Sequence, residues 1–381
     1  MNLIKLYLLH FANIKKLYDT NPLNNPRKEL ASRVPGFATV DNGFLLGILW
    51  WVAVVVEPFV SLLFVTLSLP RYTYKLIKRG RKRDVGHSLA LCYSDLSKHR
   101  VKANLDVFEK IDYYLYPISV DKSWIMEGAE SHSVLDSVSF FEVLKAFFVS
   151  IPTIIIATIN THGKYLFRTH LCYEYFLTYY FLKRVPADSA LYFVNHLDRW
   201  AVLFNLAPQH YKVLMQHGIE APTADWPVKL TNVNKAYVFA ESQKERMIKA
   251  VLGHELEFAI MPPTIVLKEL PDTTVKSVLI VSCQNYMYYD NEEYIIKALA
   301  DTDYKIFVKI HPGKNDYQKY VDLQNTVNHN VEIITTATFP RVNIVVSYYS
   351  TLGIEYEAHN IPVLYYNQHS LDDIVNEIRK D

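Results

Sequence analysis

Short apolar runs rich in β-branched residues, each bounded by polar clusters, recur through the second half of the chain. Residues 277–282 (SVLIVS), 305–310 (KIFVKI) and 343–347 (NIVVS) are too short for helices and are apolar at successive positions. That pattern predicts strands buried on both faces of a parallel sheet. Helical patterns follow them at 291–300 and 352–359, and Asn360-Ile361-Pro362-Val363-Leu364 turns into a further strand. Strand alternating with helix predicts a doubly wound sheet. A less regular alternation precedes it. Strands are predicted at 88–92, 113–118, 190–194, 211–215 and 236–239, and helices over 198–206, where Asp198 is a natural cap, and over 242–251. The stretch 256–271, with Pro262-Pro263 inside it, reads as a linker.

Two longer apolar runs stand apart. Residues 44–69 (FLLGILWWVAVVVEPFVSLLFVTLSL) carry one charge, Glu57, over a length that exceeds the roughly 20 residues of a membrane span. A charge is costly in mid-span and proline breaks a helix, so Glu57-Pro58 leaves two geometries open: one kinked span, or two short helices dipping into one leaflet. Arg71, Lys75, Lys78, Arg79, Arg81, Lys82 and Arg83 follow with no acid among them. Such a flank favours the cytoplasmic face and anionic lipid. The run is too long for a signal-peptide core and lacks a small-residue cleavage site. The second run, 146–159 (AFFVSIPTIIIATI), is too short to span and is expected in the core, with an interfacial segment as the alternative. The predicted organisation is an N-terminal segment 1–43, a membrane-associated segment with basic flank 44–85, and two α/β domains, 86–255 and 256–381.

Composition narrows the chemistry. With 40 basic and 39 acidic residues and no Lys/Arg-rich face interleaved with aromatics in the C-terminal half, nucleic acid is not an expected partner. The odd, widely spaced Cys92, Cys172 and Cys283 suggest neither a disulfide framework nor a zinc knuckle. Glycine is scarce, at 11 residues, and there is no Walker loop or GxGxxG turn. Phosphate must then be held by hydroxyls, side chains and helix ends. His311-Pro312 ends the 305–310 strand, and open α/β sheets bind ligands at that carboxyl edge. Ser350-Thr351 opens the helix after 343–347, where two hydroxyls and the free N–H groups make a phosphate cradle. The 277–282 strand leaves through Ser282, Cys283 and Gln284, and the 211–215 strand through Gln216-His217-Gly218. Asp301-Thr302-Asp303 has the spacing of a metal-binding pair but precedes a strand, at the wrong edge, so no metal is expected.

The series Gln216-His217-Gly218, His311-Pro312, Ser350-Thr351 and Ile361-Pro362-Val363 resembles the GT-B glycosyltransferases of bacterial surface polysaccharides. Nearest in pattern are the cytidine-nucleotide users: sialyltransferases and polysialyltransferases, Kdo transferases, and glycerophosphate polymerases. The likeness covers residues 190–365. It implies two Rossmann-like domains facing across a cleft, with a nucleotide sugar, CMP-linked, as donor and no further cofactor. It also implies a glycan or lipid-linked acceptor at the inner membrane surface, with other polysaccharide assembly proteins as partners. By the same resemblance His311 contacts phosphate and assists departure of the nucleotide, Ser350, Thr351 and Ser282 bind phosphate, Glu355 holds the ribose, and Gln284 reads the base. His217 and Asp198 are rival bases for the acceptor hydroxyl, with Glu220 behind them. The polysialyl enzymes' acid-acid-glycine motif is missing, and valine at 363 departs from the paired glutamates of retaining families. A CDP-glycerol-type glycerophosphotransferase, a sugar-nucleotide epimerase and a non-catalytic assembly or export protein remain as other readings.

Overall fold

The computed structural model describes residues 3–20, 43–79, 87–92, 101, 111, 113–116, 118, 131–160, 168–194, 196–207, 210–220, 224–272, 274–283, 288–311, 317–327, 330–336 and 338–380. The chain forms two compact units, one of Met1–Tyr237 with Lys244–Ala259, the other of Val238–Gln243 with Ile260–Asp381. Both are α/β and built on parallel pairings, as expected.

The first unit carries a seven-stranded sheet. Its strands are β1 (Ser88–Leu91), β2 (Tyr113–Tyr116), β3 (Ser131–Ser133), β4 (Ala190–Val194), β5 (Tyr211–Met215), β6 (Lys235–Val238) and β7 (Glu257–Ile260), in the order β3-β2-β1-β4-β5-β6-β7. The registers from β3 through to β6 are parallel. Strand order reverses between β1 and β4, the switch point at which such sheets open a crevice beyond their carboxyl ends. Helices α1 (Leu3–Thr20), α2 (Gly43–Arg79), α3 (Phe140–Asn160), α4 (Cys172–Leu182), α5 (Arg199–Leu206) and α6 (Ser242–Met247) belong to this unit almost entirely.

Several expectations are revised here. The N-terminal segment is not a separate piece: α1 buries Leu6, Tyr7 and Phe11 in the first unit. Tyr7 meets Tyr175 of α4 edge-on at 5.1 Å, and Asn13 accepts the Val228 N–H at 2.9 Å. The 44–69 run is neither two short helices nor broken at proline, because α2 runs on through Pro58 and Pro70. Residues 146–159 are not simply core: the helix begins at Phe140, and Phe141, Phe148, Ile155 and Ile159 face outward. The stretch 256–271 holds β7, whose partly exposed edge position removes the buried apolar run that marks a strand in sequence.

The second unit repeats the topology. Strands β9 (Ser277–Val281), β10 (Lys305–Lys309), β11 (Val331–Ile334), β13 (Ile344–Ser347) and β14 (Val363–Tyr365) order as β11-β10-β9-β13-β14, all parallel. Two short strands, β8 (Leu267–Lys268) and β12 (Phe339–Pro340), pair apart from it. Alternation puts Val278, Ile280, Ile306, Val308, Ile344 and Val346 on one face, packed against α7 (Tyr289–Leu299), α8 (Tyr317–Thr326) and α10 (Leu371–Lys380). Leu279, Val281, Phe307 and Val345 point the other way, to Tyr356 of α9 (Thr351–Ala358). Burial on both faces explains why these strands read as unbroken apolar runs. Asn343 pins the entry of β9, its side-chain oxygen accepting the Ser277 N–H at 2.8 Å and hydroxyl at 3.0 Å.

Candidate functional site

In the second unit, register places Lys309, Val281, Ser347 and Tyr365 in one row across the sheet. The next residues out, Ile310, Ser282, Tyr348 and Tyr366, form its carboxyl rim. His311 stands just beyond, at the exit of β10. Its backbone N–H donates to the buried Ser282 hydroxyl at 2.8 Å, which ties the β9 and β10 exits together. On the far side of β9, Ser350 caps α9. Its hydroxyl accepts the Gly353 N–H at 3.1 Å and lies 2.9 Å from the Ser347 hydroxyl. Thr351 follows as the first, partly exposed residue of α9, at a helix start whose dipole favours anions. His311, Ser282, Ser350 and Thr351 therefore share one rim at the switch point of the sheet, where β9 lies between β10 and β13.

Glu355 is placed otherwise. It is buried, and its oxygens accept the Thr264 N–H (2.6 Å), the Thr264 hydroxyl (2.7 Å) and the Ile265 N–H (2.9 Å). The carboxylate ties the stretch before β8 to α9. Gln284 and Pro312 lie outside the described residues. Asp301 and Asp303 sit in the turn leading into β10, at the amino edge. Among the described residues, no group of three or more His, Cys, Asp or Glu side chains is placed to hold a metal ion.

The rim also holds residues that sequence reasoning passed over. Glu292 is fully buried within α7 and accepts the Cys283 N–H at 2.7 Å, the Tyr366 hydroxyl at 3.2 Å and the Tyr320 hydroxyl. One carboxylate thus fixes the exits of β9 and β14. Beside it Tyr288 stacks on Tyr348 with ring centres 4.0 Å apart, and Tyr348 meets Tyr366 at 5.5 Å. A mid-helix glutamate reads in sequence as a solvated charge, and nothing in its spacing marks it otherwise. Lys309 is held below the usual lysine range by burial and donates to the Thr336 carbonyl.

In the first unit, the exits of β4 and β5 carry the polar residues. Asp198 is the N-cap of α5, one oxygen accepting the Trp200 N–H at 2.9 Å and the Ala201 N–H at 3.0 Å. Desolvation raises its pKa above the ordinary value, outweighing those two donors and the Arg199 charge. His217 follows β5 and is half-buried. Behind it lies the buried Glu220, held between the imidazole of His196 at 2.5 Å and the indole N–H of Trp226 at 2.8 Å. Burial alone would raise the Glu220 pKa. The His196 charge, the His196 and Trp226 hydrogen bonds and the nearby His217 charge together bring it below the usual range. His196, at the β4 exit, is thus drawn into one cluster with His217 and Glu220; it carried no motif of its own.

No protein-family model matches this chain, and neither does any curated protein. Among solved structures it is similar to TarM of S. aureus, at 16% identity over 54% of this chain and 51% of that one, with a TM-score of 0.37. It is similar to the lipopolysaccharide outer core galactosyltransferase WaaB, at 9% identity over 76% and 88% of the two chains and a TM-score of 0.42. A sucrose-phosphate synthase from Thermosynechococcus elongatus is similar at 11% identity over 77% and 89%, with a TM-score of 0.44. The chain spans about half the length of TarM.

Proposed function

We propose that this chain is an inverting, metal-independent glycosyltransferase. It moves a sugar from a CMP-linked donor of the sialic acid or Kdo kind to a glycan or lipid-linked acceptor in bacterial capsule or lipopolysaccharide synthesis, at the cytoplasmic face of the membrane. The observation that carries the reading is the carboxyl rim of the second sheet, with His311 and Ser282 at the exits of β10 and β9 and Ser350 and Thr351 at the start of the helix after β13. A nucleotide leaving from the anomeric carbon gains negative charge in the transition state. Donors fixed in advance around that charge lower the barrier without reorganising. In this reading the Ser350–Thr351 helix start takes the phosphate and His311 stabilises or protonates the departing oxygen. The stacked Tyr288 and Tyr348 offer a flat aromatic surface to the base. As the acceptor oxygen bonds to the anomeric carbon and the carbon–phosphate oxygen bond breaks, the acceptor proton passes to a base. His217 suits that task, because the nearby Glu220 carboxylate supplies a negative charge that supports an imidazolium. Asp198 already serves its helix.

The same imidazole cluster favours one other reading, a glycerophosphotransferase using CDP-glycerol. Nucleotides and donors test the two. A ligand that binds only the native state at a concentration 100 times its Kd raises stability by about 2.7 kcal/mol. CMP is the leaving nucleotide of both reactions and is expected to raise the melting temperature where UDP and GDP leave it unmoved, whereas transfer of glycerol phosphate from CDP-glycerol with none of sugar from a CMP-sugar selects the glycerophosphate reading. His311→Ala is expected to lower transfer by roughly 100-fold or more with the fold intact. Transfer that survives the change removes the catalytic proposal.

A further inference from the structure

We infer that the first unit docks on a single leaflet of an anionic phospholipid bilayer through two helices laid along its surface, α2 and α3, and that neither helix crosses. The inference rests on the membrane part of the proposed function and adds a geometry, a second helix and a topology to it.

Both helices are long and apolar enough to cross a membrane by length and composition. Their flanks forbid a single crossing. Upstream of α2, α1 is buried in the first unit against α4 and bonds to Val228 through Asn13. Downstream of α2, β1 is an inner strand of that unit's sheet. Upstream of α3 stands β3 of the same sheet, and downstream come α4 and β4. Each helix therefore leaves one folded body and returns to it. A helix that crossed once would place parts of one hydrophobic core on opposite sides of a bilayer.

The inward faces show how the helices are held. Trp50, Ala53, Glu57, Ser61 and Val65 form the buried stripe of α2. Glu57, the charge that stood against a span, accepts the Ser61 hydroxyl at 2.8 Å and also the Thr169 hydroxyl and N–H. Further along, Phe64 stacks on His170 at 5.1 Å and Tyr72 on Tyr173 at 5.4 Å. From Glu57 to Tyr72 the helix thus lies along the protein for about 22 Å, at 1.5 Å per residue. On α3 the buried stripe is largely small, with Ala146, Ser150, Thr153 and Ala157, as suits close helix packing in an apolar medium. Its hydroxyls bond back to carbonyls of their own helix: Ser150 to Ala146 at 2.7 Å, Thr153 to Val149 at 2.6 Å, Thr158 to Ile154 at 2.9 Å. Polar groups satisfied within the helix are what lipid requires.

The outward faces name the occupant. Trp51, Phe59 and Leu63 on α2 are 67%, 70% and 58% exposed, and Phe141, Phe148 and Ile159 on α3 are 72%, 63% and 66% exposed. They recur at helical spacing on the side opposite each buried stripe. The same α2 continues into the exposed cations Arg71, Lys75 and Lys78. Large apolar side chains running into a row of cations match the acyl boundary and phosphate layer of one anionic leaflet.

The test uses the full chain. It is expected to float with vesicles of phosphatidylcholine and phosphatidylglycerol, and at least ten-fold less with phosphatidylcholine alone. Phe141→Asp with Phe148→Asp is expected to abolish flotation while the nucleotide-induced thermal shift persists; unchanged flotation overturns the role of α3. For topology, Lys15→Cys and Lys78→Cys are introduced singly into a Cys283→Ser background and probed in inverted inner-membrane vesicles with an impermeant maleimide. Both are expected to react before detergent is added. Protection of either until the vesicles are dissolved overturns the inference, as does a chain that ignores vesicles and dimerises through Phe148. Failure of flotation with nucleotide binding intact would leave the transfer reading standing.

Discussion

Replacing Glu355 separates its packing role from any role in holding ribose. In Glu355→Ala the Thr264 N–H, the Thr264 hydroxyl and the Ile265 N–H lose their acceptor at once. Ile265 is 8% exposed, so its amide has little access to water, whereas Thr264 is only half-buried and recovers part of its loss by hydration. An unsatisfied buried donor costs about 1–3 kcal/mol. One full loss at Ile265 and a partial one at Thr264 predict a destabilisation of about 2–4 kcal/mol. Glu355→Gln keeps one acceptor oxygen but turns an NH2 toward the remaining donor, so roughly half of that loss is expected. Urea unfolding followed by tyrosine fluorescence, with nucleotide affinity measured separately by calorimetry, reads both effects. A Glu355→Ala protein within about 0.5 kcal/mol of the parent, the scatter of surface substitutions, would refute the reasoning if nucleotide affinity fell sharply at the same time.

Further outcomes follow from the other carboxylates and from one glycine. Asp198→Ala removes the cap of α5 and is expected to cost about 1 kcal/mol, while Asp198→Asn keeps a capping oxygen and is expected to retain both stability and transfer. Loss of transfer in a stable Asp198→Asn protein would make Asp198 the base in place of His217. Because the Glu220 pKa is lowered in the folded chain, its stabilisation is complete above the unfolded value near 4.3 and is lost as pH falls through the folded value. Urea midpoints measured from pH 6 downward should fall more steeply in the parent than in Glu220→Gln. At Gly353 an added Cβ would sit 3.0 Å from the Tyr365 hydroxyl and 3.1 Å from its ring. Gly353→Ala is expected to lose roughly 1 kcal/mol through overpacking, partly restored in a Tyr365→Phe background, as thermal melts of the two proteins will read.

What was legible in the sequence follows burial geometry. β9, β10 and β13 were readable because both their faces are covered, leaving an unbroken apolar signature. β7 was not, since an edge strand with Glu257 at its start resembles a loop. Helix α4 (CYEYFLTYYFL) was hidden for the opposite reason: it is buried nearly all round, so no polar face reveals a period. The rim that gathers His311, Ser282, Ser350 and Thr351 was legible because parallel strands must exit at one edge, whatever the loops do. The contacts that organise that rim were not. Glu355 meets Thr264 across 91 positions and Glu292 meets Tyr366 across 74, and no local spacing encodes such pairs.

Glu57, Glu220, Glu292 and Glu355 are all buried, and each joins segments distant in the chain. In sequence Glu57 looked like an obstacle to a span, Glu220 like an acid behind the candidate bases, Glu292 like a solvated charge and Glu355 like a ribose ligand. A buried carboxylate is tolerable only when donors surround it, and here the donors are hydroxyls, backbone N–H groups, an indole and an imidazole. That requirement bears on the chemistry. A general base must present a lone pair to the acceptor, and a buried carboxylate whose oxygens already accept hydrogen bonds from the fold has its remaining acceptor capacity shielded from solvent. Glu220 has one oxygen on His196 and the other on Trp226; Glu355 has both on the Thr264–Ile265 stretch. The acids that burial makes conspicuous are committed to structure. In the proposed reading, proton transfer falls instead to the half-buried His217 imidazole, which lies near enough to Glu220 for their charges to interact.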